Sequence, residues 1–273
     1  MSKLCNTAFY CRLQMLLMAV MMILLSPLAT AEVLVVLSQD RAAYRDVANE
    51  MAARYQGQLR VVSLSQLKSE PALMAPTGDI TVSVGAAASE YLLQQLPTSR
   101  RMLATFLPES AYQSLLKQYG NRWLPHKNQL SAIYLDQPLS RQLGLARLIL
   151  PKARTIGSVV GRSTQHRLSE LRQAARLQNF ELIHTSLEQT DNPVKHLQPI
   201  IQQSDVFMPL PDQAVFNRTT AKWILYIAYR QRVPLIGFSR KYVEAGAVAA
   251  VYSSPEQLGR QSGEFLLRYN KSQ

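Results

Sequence analysis

The chain is 273 residues long, 47% hydrophobic, and carries 30 Lys and Arg against 18 Asp and Glu, a formal net charge of +12. That is enough chain for one large or two ordinary domains with a properly buried core. Both cysteines, Cys5 and Cys11, stand near the start, so everything after them is without thiols, which excludes disulfides, cysteine nucleophiles and thiolate metal sites there.

Lys3 and Arg12 precede an uninterrupted apolar run from Met15 to Leu25, then Ser26-Pro27 and Ala29-Thr30-Ala31. A basic head, a short apolar middle and small residues at −3 and −1 predict a secretory signal over residues 1–31, cut after Ala31. The run is shorter than the roughly 20 residues that span a bilayer, and Pro27 ends it. Neither cysteine follows it, as a lipoprotein's acylated cysteine would. Removing the segment takes Lys3 and Arg12 and no acid, so +12 becomes +10. The remaining Lys and Arg are interleaved with acids along helices rather than massed, which reads as a solvated surface and not a nucleic-acid patch.

Val33-Leu-Val-Val-Leu37 is a continuous β-branched run suited to a strand buried on both faces. Ser38-Gln39 follows it, and Ala42 to Tyr55 then carries apolar residues at 43, 44, 47, 48, 51 and 55, a helical stripe. Strands are predicted at Leu59–Leu64, Ile80–Val84, Arg101–Phe106 and Ser131–Leu135, and helices at Glu90–Gln95, Glu109–Tyr119 and Leu139–Leu150. Pro151 ends the last of these and marks the crossing to a second unit. From there the rhythm repeats: short apolar runs at Ile156–Val160, Phe180–Ile183, Asp205–Pro209, Pro234–Phe238 and Ala247–Tyr252 alternate with amphipathic helices. Strand–helix alternation of this kind predicts parallel sheets with loops gathered at one edge. The expected organisation is a signal at 1–31, a first lobe over 32–152 completed by 253–273, and a second lobe over 153–252.

Catalytic constellations are absent. His126, His166, His184 and His196 have no metalloprotease spacing, and there is no GxSxG elbow, GxxxxGK[ST] loop or GxGxxG turn. Asn217-Arg-Thr219 matches a glycosylation acceptor, a pattern common by chance. Binding is favoured over catalysis, with no metal and no cofactor. The candidate ligand-binding residues lie in the strand-to-helix loops, where an open α/β sheet meets its ligand: Ser38, Gln39, Gly85, Ala86, Ala87, Gly161, Asp212, Ser239 and Tyr252. Gly85-Ala86-Ala87 puts small residues at a helix N-terminus, which either holds an anion on its free amides or is simply a tight turn. Asp212 either caps a helix starting near Ala214 or faces the cleft. Tyr252 either stacks on a ligand or packs into the core.

Leu150-Pro-Lys-Ala-Arg-Thr-Ile-Gly-Ser-Val-Val-Gly161 is similar to a "P-x-A-x-x-I-G-V-L-Y-N" crossing, and Asp205-Val-Phe-Met-Pro-Leu-Pro-Asp212 to "D-A-l-y-v-p-x-D". Val233-Pro-Leu-Ile, Val243-Glu-Ala-Gly-Ala247 and Tyr252 to Gln261 follow in the same order. These segments cover roughly half the chain and resemble the substrate-binding proteins of ABC importers, in particular the tryptophan- and tyrosine-receptor group. The resemblance implies a type I periplasmic binding fold, α/β, with two Rossmann-like lobes of parallel sheet flanked by helices. It also implies a monomer in the periplasm that closes on an amino acid-like or related polar metabolite. Gly85, Ala86, Ala87, Asp212, Ser239 and Tyr252 stand at the matching positions.

Its partners would be that small molecule and an importer's membrane subunits or, alternatively, a membrane kinase or envelope assembly to which it signals. The chain departs from the pattern in Arg101-Met-Leu-Ala-Thr-Phe-Leu-Pro-Glu109, in Gly161 where the family has Asn, and in stopping at Gln273 before a terminal strand. The last departure implies one hinge crossing fewer and looser coupling between lobes.

Overall fold

The structure, a computed structural model, describes residues 32–74, 78–123, 125, 129–187, 192–212 and 218–271. The signal expected at 1–31, the acceptor Asn217 and the helix start near Ala214 lie outside these residues.

The first lobe is a five-stranded parallel sheet of β1 (Val33–Leu37), β2 (Leu59–Ser63), β3 (Ile80–Val84), β4 (Arg101–Leu107) and β5 (Leu130–Tyr134), ordered β2-β1-β3-β4-β5. Between the strands run α1 (Ala42–Tyr55), α2 (Leu64–Ser69), α3 (Ala86–Gln95) and α4 (Glu109–Trp123). β1 is apolar throughout because both its faces are covered. Val33, Val35 and Leu37 join Val47, Met51 and Tyr55 of α1, while Leu34 and Val36 join Leu67 of α2 and Leu92 of α3. The last helix, α10 (Pro255–Lys271), lies along α1, with Leu258 and Leu266 in the same core. Its Ser262 hydroxyl donates to Thr105 Oγ1 at 3.0 Å, tying it to β4.

The second lobe contains α5 (Leu139–Ile149), β6 (Thr155–Gly161), α6 (Leu168–Leu177), β7 (Glu181–Leu187), α7 (Pro193–Gln202) and β8 (Val206–Phe207). It continues with α8 (Arg218–Gln231), β9 (Ile236–Gly237), α9 (Arg240–Glu244) and β10 (Ala249–Ala250). β7-β6-β8 and β9-β10 are both parallel, and a parallel bridge from Phe207 to Leu235 joins them. The order β7-β6-β8-β9-β10 therefore repeats that of the first lobe. Two lobes of parallel sheet flanked by helices are what the strand–helix rhythm predicts.

Three details differ. The run expected to continue to Leu64 stops at Ser63, which starts α2 through a capping box: its hydroxyl accepts from Gln66 N at 3.2 Å, and Gln66 Oε1 accepts from Ser63 N at 2.9 Å. Strands β8, β9 and β10 are two residues each, far shorter than their apolar runs; Pro209 after β8 and Pro234 before β9 cannot donate to a ladder. The chain also changes lobes before α5 rather than at Pro151. Leu139, Leu143 and Ala146 are fully buried with Ile156 and Val160 of β6 and Leu171 of α6, so the apolar face of α5 belongs to the second core. The residues between Tyr134 and Leu139 make the first crossing, and those between Ala250 and Pro255 make the return.

Candidate functional site

In each lobe the C-terminal ends of the parallel strands carry the loops toward the other lobe, and the two crossings run between them. A cavity of about 220 Å³ lies there. Pro108, Leu135, Asp136 and Gln137 line it after β4 and β5, Gln142 from α5, Pro211, Phe238 and Ser239 from the second lobe, and Val251, Tyr252 and Ser253 from the return crossing. Its walls are thus mostly rings and aliphatic carbon with a few polar groups, the usual make-up of a small-molecule site.

Of the residues singled out in the sequence, Ser239 and Tyr252 line this cavity, with Tyr252 41% exposed. Ser38 and Gly85 meet instead at the start of α3. The Ser38 hydroxyl accepts from Ala88 N at 2.8 Å. Gly85 has φ 92°, and a β-carbon there would stand 2.7 Å from Ser38 Oγ and from the Tyr44 ring, so only glycine suits both the backbone and the close approach. Ala86 and Ala87 are exposed on the first turn of α3, and Gln39 is exposed beyond β1.

Asp212 and Gly161 form a third group. Asp212 is 1% exposed, and its Oδ2 accepts from Ser163 N at 3.2 Å, Ser163 Oγ at 2.6 Å, Thr164 N at 3.1 Å and Thr164 Oγ1 at 3.0 Å. These bonds clamp the loop after β6 to the loop after β8. None of Ser38, Gln39, Gly85, Ala86, Ala87, Gly161 or Asp212 lines the cavity.

The other cavity residues were not singled out in the sequence, and the two of them with the most telling chemistry are Asp136 and Gln142. Gln142 is 2% exposed and its Oε1 has no hydrogen-bond partner among the described residues. An orphaned buried acceptor is costly, and here it belongs to a cavity-lining side chain. The signal was present in the register of α5: Leu139, Gln142, Leu143 and Ala146 fall at i, i+3, i+4 and i+7, one buried face with a single polar member.

Asp136 belongs to a charge cluster spanning the lobes. Arg167, 6% exposed in the second lobe, lies 3.5 Å from Asp136 and 3.8 Å from Glu109 of the first, and 3.1 Å from Glu170. Asp136 Oδ2 also accepts from Glu109 N at 2.6 Å. Burial, aided by the charges of Glu109 and Asp136, pushes the Tyr134 phenol up from its usual value. The crossings themselves are linked by Gln137 Nε2, which donates to Ser253 Oγ at 2.5 Å. No group of three or more His, Cys, Asp or Glu able to hold a metal ion occurs among the described residues.

The arrangement is a small interlobe cavity with a few hydrogen-bonding groups, suited to holding a small molecule. The family model for ABC transporter substrate binding proteins matches residues 133–271, a little over half of the chain. Among solved structures, a ligand-free, open substrate-binding protein with adhesive properties from Clostridium difficile superposes with a TM-score of 0.63 at 15% identity, over 89% of this chain and 86% of that one. A conserved domain protein from Vibrio cholerae does so with 0.57 at 19% identity, over 89% and 86%. An ABC domain in complex with L-Trp from Streptococcus pneumoniae does so with 0.55 at 14% identity, over 88% and 85%. No curated protein matches the chain by sequence. The fold is the type I periplasmic binding protein fold.

Proposed function

Since the chain belongs to the ABC transporter substrate-binding proteins, we propose that it captures a small amino acid-like metabolite between its lobes in the periplasm and delivers it to an importer's membrane subunits. The observation that carries this reading is the cavity of about 220 Å³ lined from both lobes and from the return crossing. It is smaller than the roughly 300–1,000 Å³ of drug-sized sites, which suits a metabolite. Asp136 and Gln142 Oε1 offer acceptors to a donor such as an amino group, while Pro108, Phe238 and Tyr252 face its carbon skeleton. A guest that touches both lobes binds the closed form better than the open one, and that differential affinity shifts the equilibrium toward closure. Closure then signals occupancy to the importer. In this reading residues 1–31 direct export and are removed, and a first lobe of 32–138 with 253–273 acts against a second of 139–252, which includes α5.

Native mass spectrometry of the protein purified from the periplasm tests the proposal, since a retained guest adds its own mass. Calorimetry with that compound should then show saturable one-to-one binding, weakened in Gln142→Leu. A protein that carries no guest and stays silent in calorimetry and thermal-shift screens of amino acids, amines, nucleosides and peptides overturns it.

A further inference from the structure

Helix α8 (Arg218–Gln231) presents to solvent a face that the cavity does not use. Trp223 is 50% exposed, Tyr226 55% and Tyr229 82%, and the first two rings stack edge to face with centroids 6.1 Å apart. At about 100° per residue, Lys222, Trp223, Tyr226, Tyr229 and Arg230 fall within one arc of roughly 120°. Ile224, Ile227 and Ala228 point the other way into the core. Among the described residues the exposed aliphatic side chains are scattered, whereas three of the four exposed large aromatics lie on this helix; the fourth, Tyr252, belongs to the cavity. The α8 sequence contains no acidic residue, and Lys222, Arg230 and the following Arg232 are exposed with no acidic partner among the described residues.

We propose that this face of α8 docks the protein on an anionic phospholipid surface. Rings with an apolar body and a polar tip settle at headgroup depth, and Lys and Arg beside them are drawn to anionic lipid. A second copy of the chain fits poorly: a two-fold pairing of α8 would set Lys222 against Arg230 across the axis, between molecules that already share a charge of +12. A stable protein partner fits less well too, because such interfaces take roughly 20–30 residues a side around an apolar centre. This face is one helix wide, and its aliphatic residues are turned inward.

The chain has two tryptophans, and the other, Trp123, is 1% exposed inside the first lobe, so vesicle-induced changes in emission report Trp223. With phosphatidylglycerol vesicles at low salt, the emission of the full chain should shift to the blue and be quenched by brominated lipid. Trp223→Phe should abolish both effects. Each cation near such a surface contributes about 1 kcal/mol, so Lys222→Gln with Arg230→Gln should weaken partitioning by roughly 25-fold. Comparing variants within the full chain cancels any pull from residues 15–25. An unshifted emission, equal effects on neutral phosphatidylcholine, or a concentration-dependent dimer lost in Tyr226→Ser with Tyr229→Ser overturns the proposal. All these side chains are exposed, so the variants fold.

Discussion

The carboxylate of Asp212 fills the space that a side chain on Gly161 would need: a β-carbon at Gly161 would stand 2.5 Å from Asp212 Oδ2. The end of β6 is glycine because a buried acid from the loop after β8 rests against it. Gly161→Ala should therefore destabilise the fold by about 2 kcal/mol through overpacking. Asp212→Ala should cost about 3 kcal/mol, since it strands the amides of Ser163 and Thr164. Urea unfolding midpoints check both, and the double variant should fall short of the sum because the two residues touch.

Gln142→Leu separates stability from function. It removes a buried acceptor without a partner and leaves carbon of similar size in an apolar face, so the melting temperature should rise, with a gain of about 1 kcal/mol. Affinity for the guest should fall by roughly tenfold or more. A drop in both would mean that the amide is satisfied within the fold.

Arg167 joins the lobes through Asp136 and Glu109. Removing one partner of a buried ion cluster leaves its counter-charges uncompensated, so Arg167→Ala should cost about 3 kcal/mol. The hinge should also open, giving a larger radius of gyration in small-angle scattering. Replacing the exposed Arg45, whose pair with Asp40 is more than half exposed, should change neither quantity.

Asp205 accepts from the amides of Arg154 at 2.7 Å and Thr155 at 2.9 Å. These bonds hold its carboxyl below the usual carboxylate value. A depressed folded value stabilises above the unfolded pKa of about 3.9 and loses that effect as pH falls through the folded value. Asp205→Asn should therefore be less stable than the parent at pH 7, and the gap should close in acid. Urea midpoints at pH 7 and pH 3 measure it.

Ser38 and Gly85 support the first turn of α3. Ser38→Ala should cost about 1 kcal/mol, as the loss of a helix cap does. Gly85→Ala should cost more, because alanine meets both the φ of 92° and the Ser38 hydroxyl. Hydrogen exchange at Ala88 should quicken in each variant.

The repeated apolar runs and helical stripes were enough to read two α/β lobes of parallel sheet. Both signals are local, set by periods of 2 and 3.6 within a dozen residues. Ser239 and Tyr252 were singled out because they stand at the ends of apolar runs, and both line the cavity. What the sequence could not settle were choices between distant partners. Pro151 stops a helix whichever lobe that helix packs on, and only its contacts with β6 assign α5 to the second. Asp212 reads alike whether it faces a cleft or lies under Gly161, since that depends on a residue 51 positions away. Gln142 was one polar residue on an apolar stripe until the return crossing placed Tyr252 across the cavity from it. Periodicity determines which face of an element is buried, and tertiary packing alone determines against what.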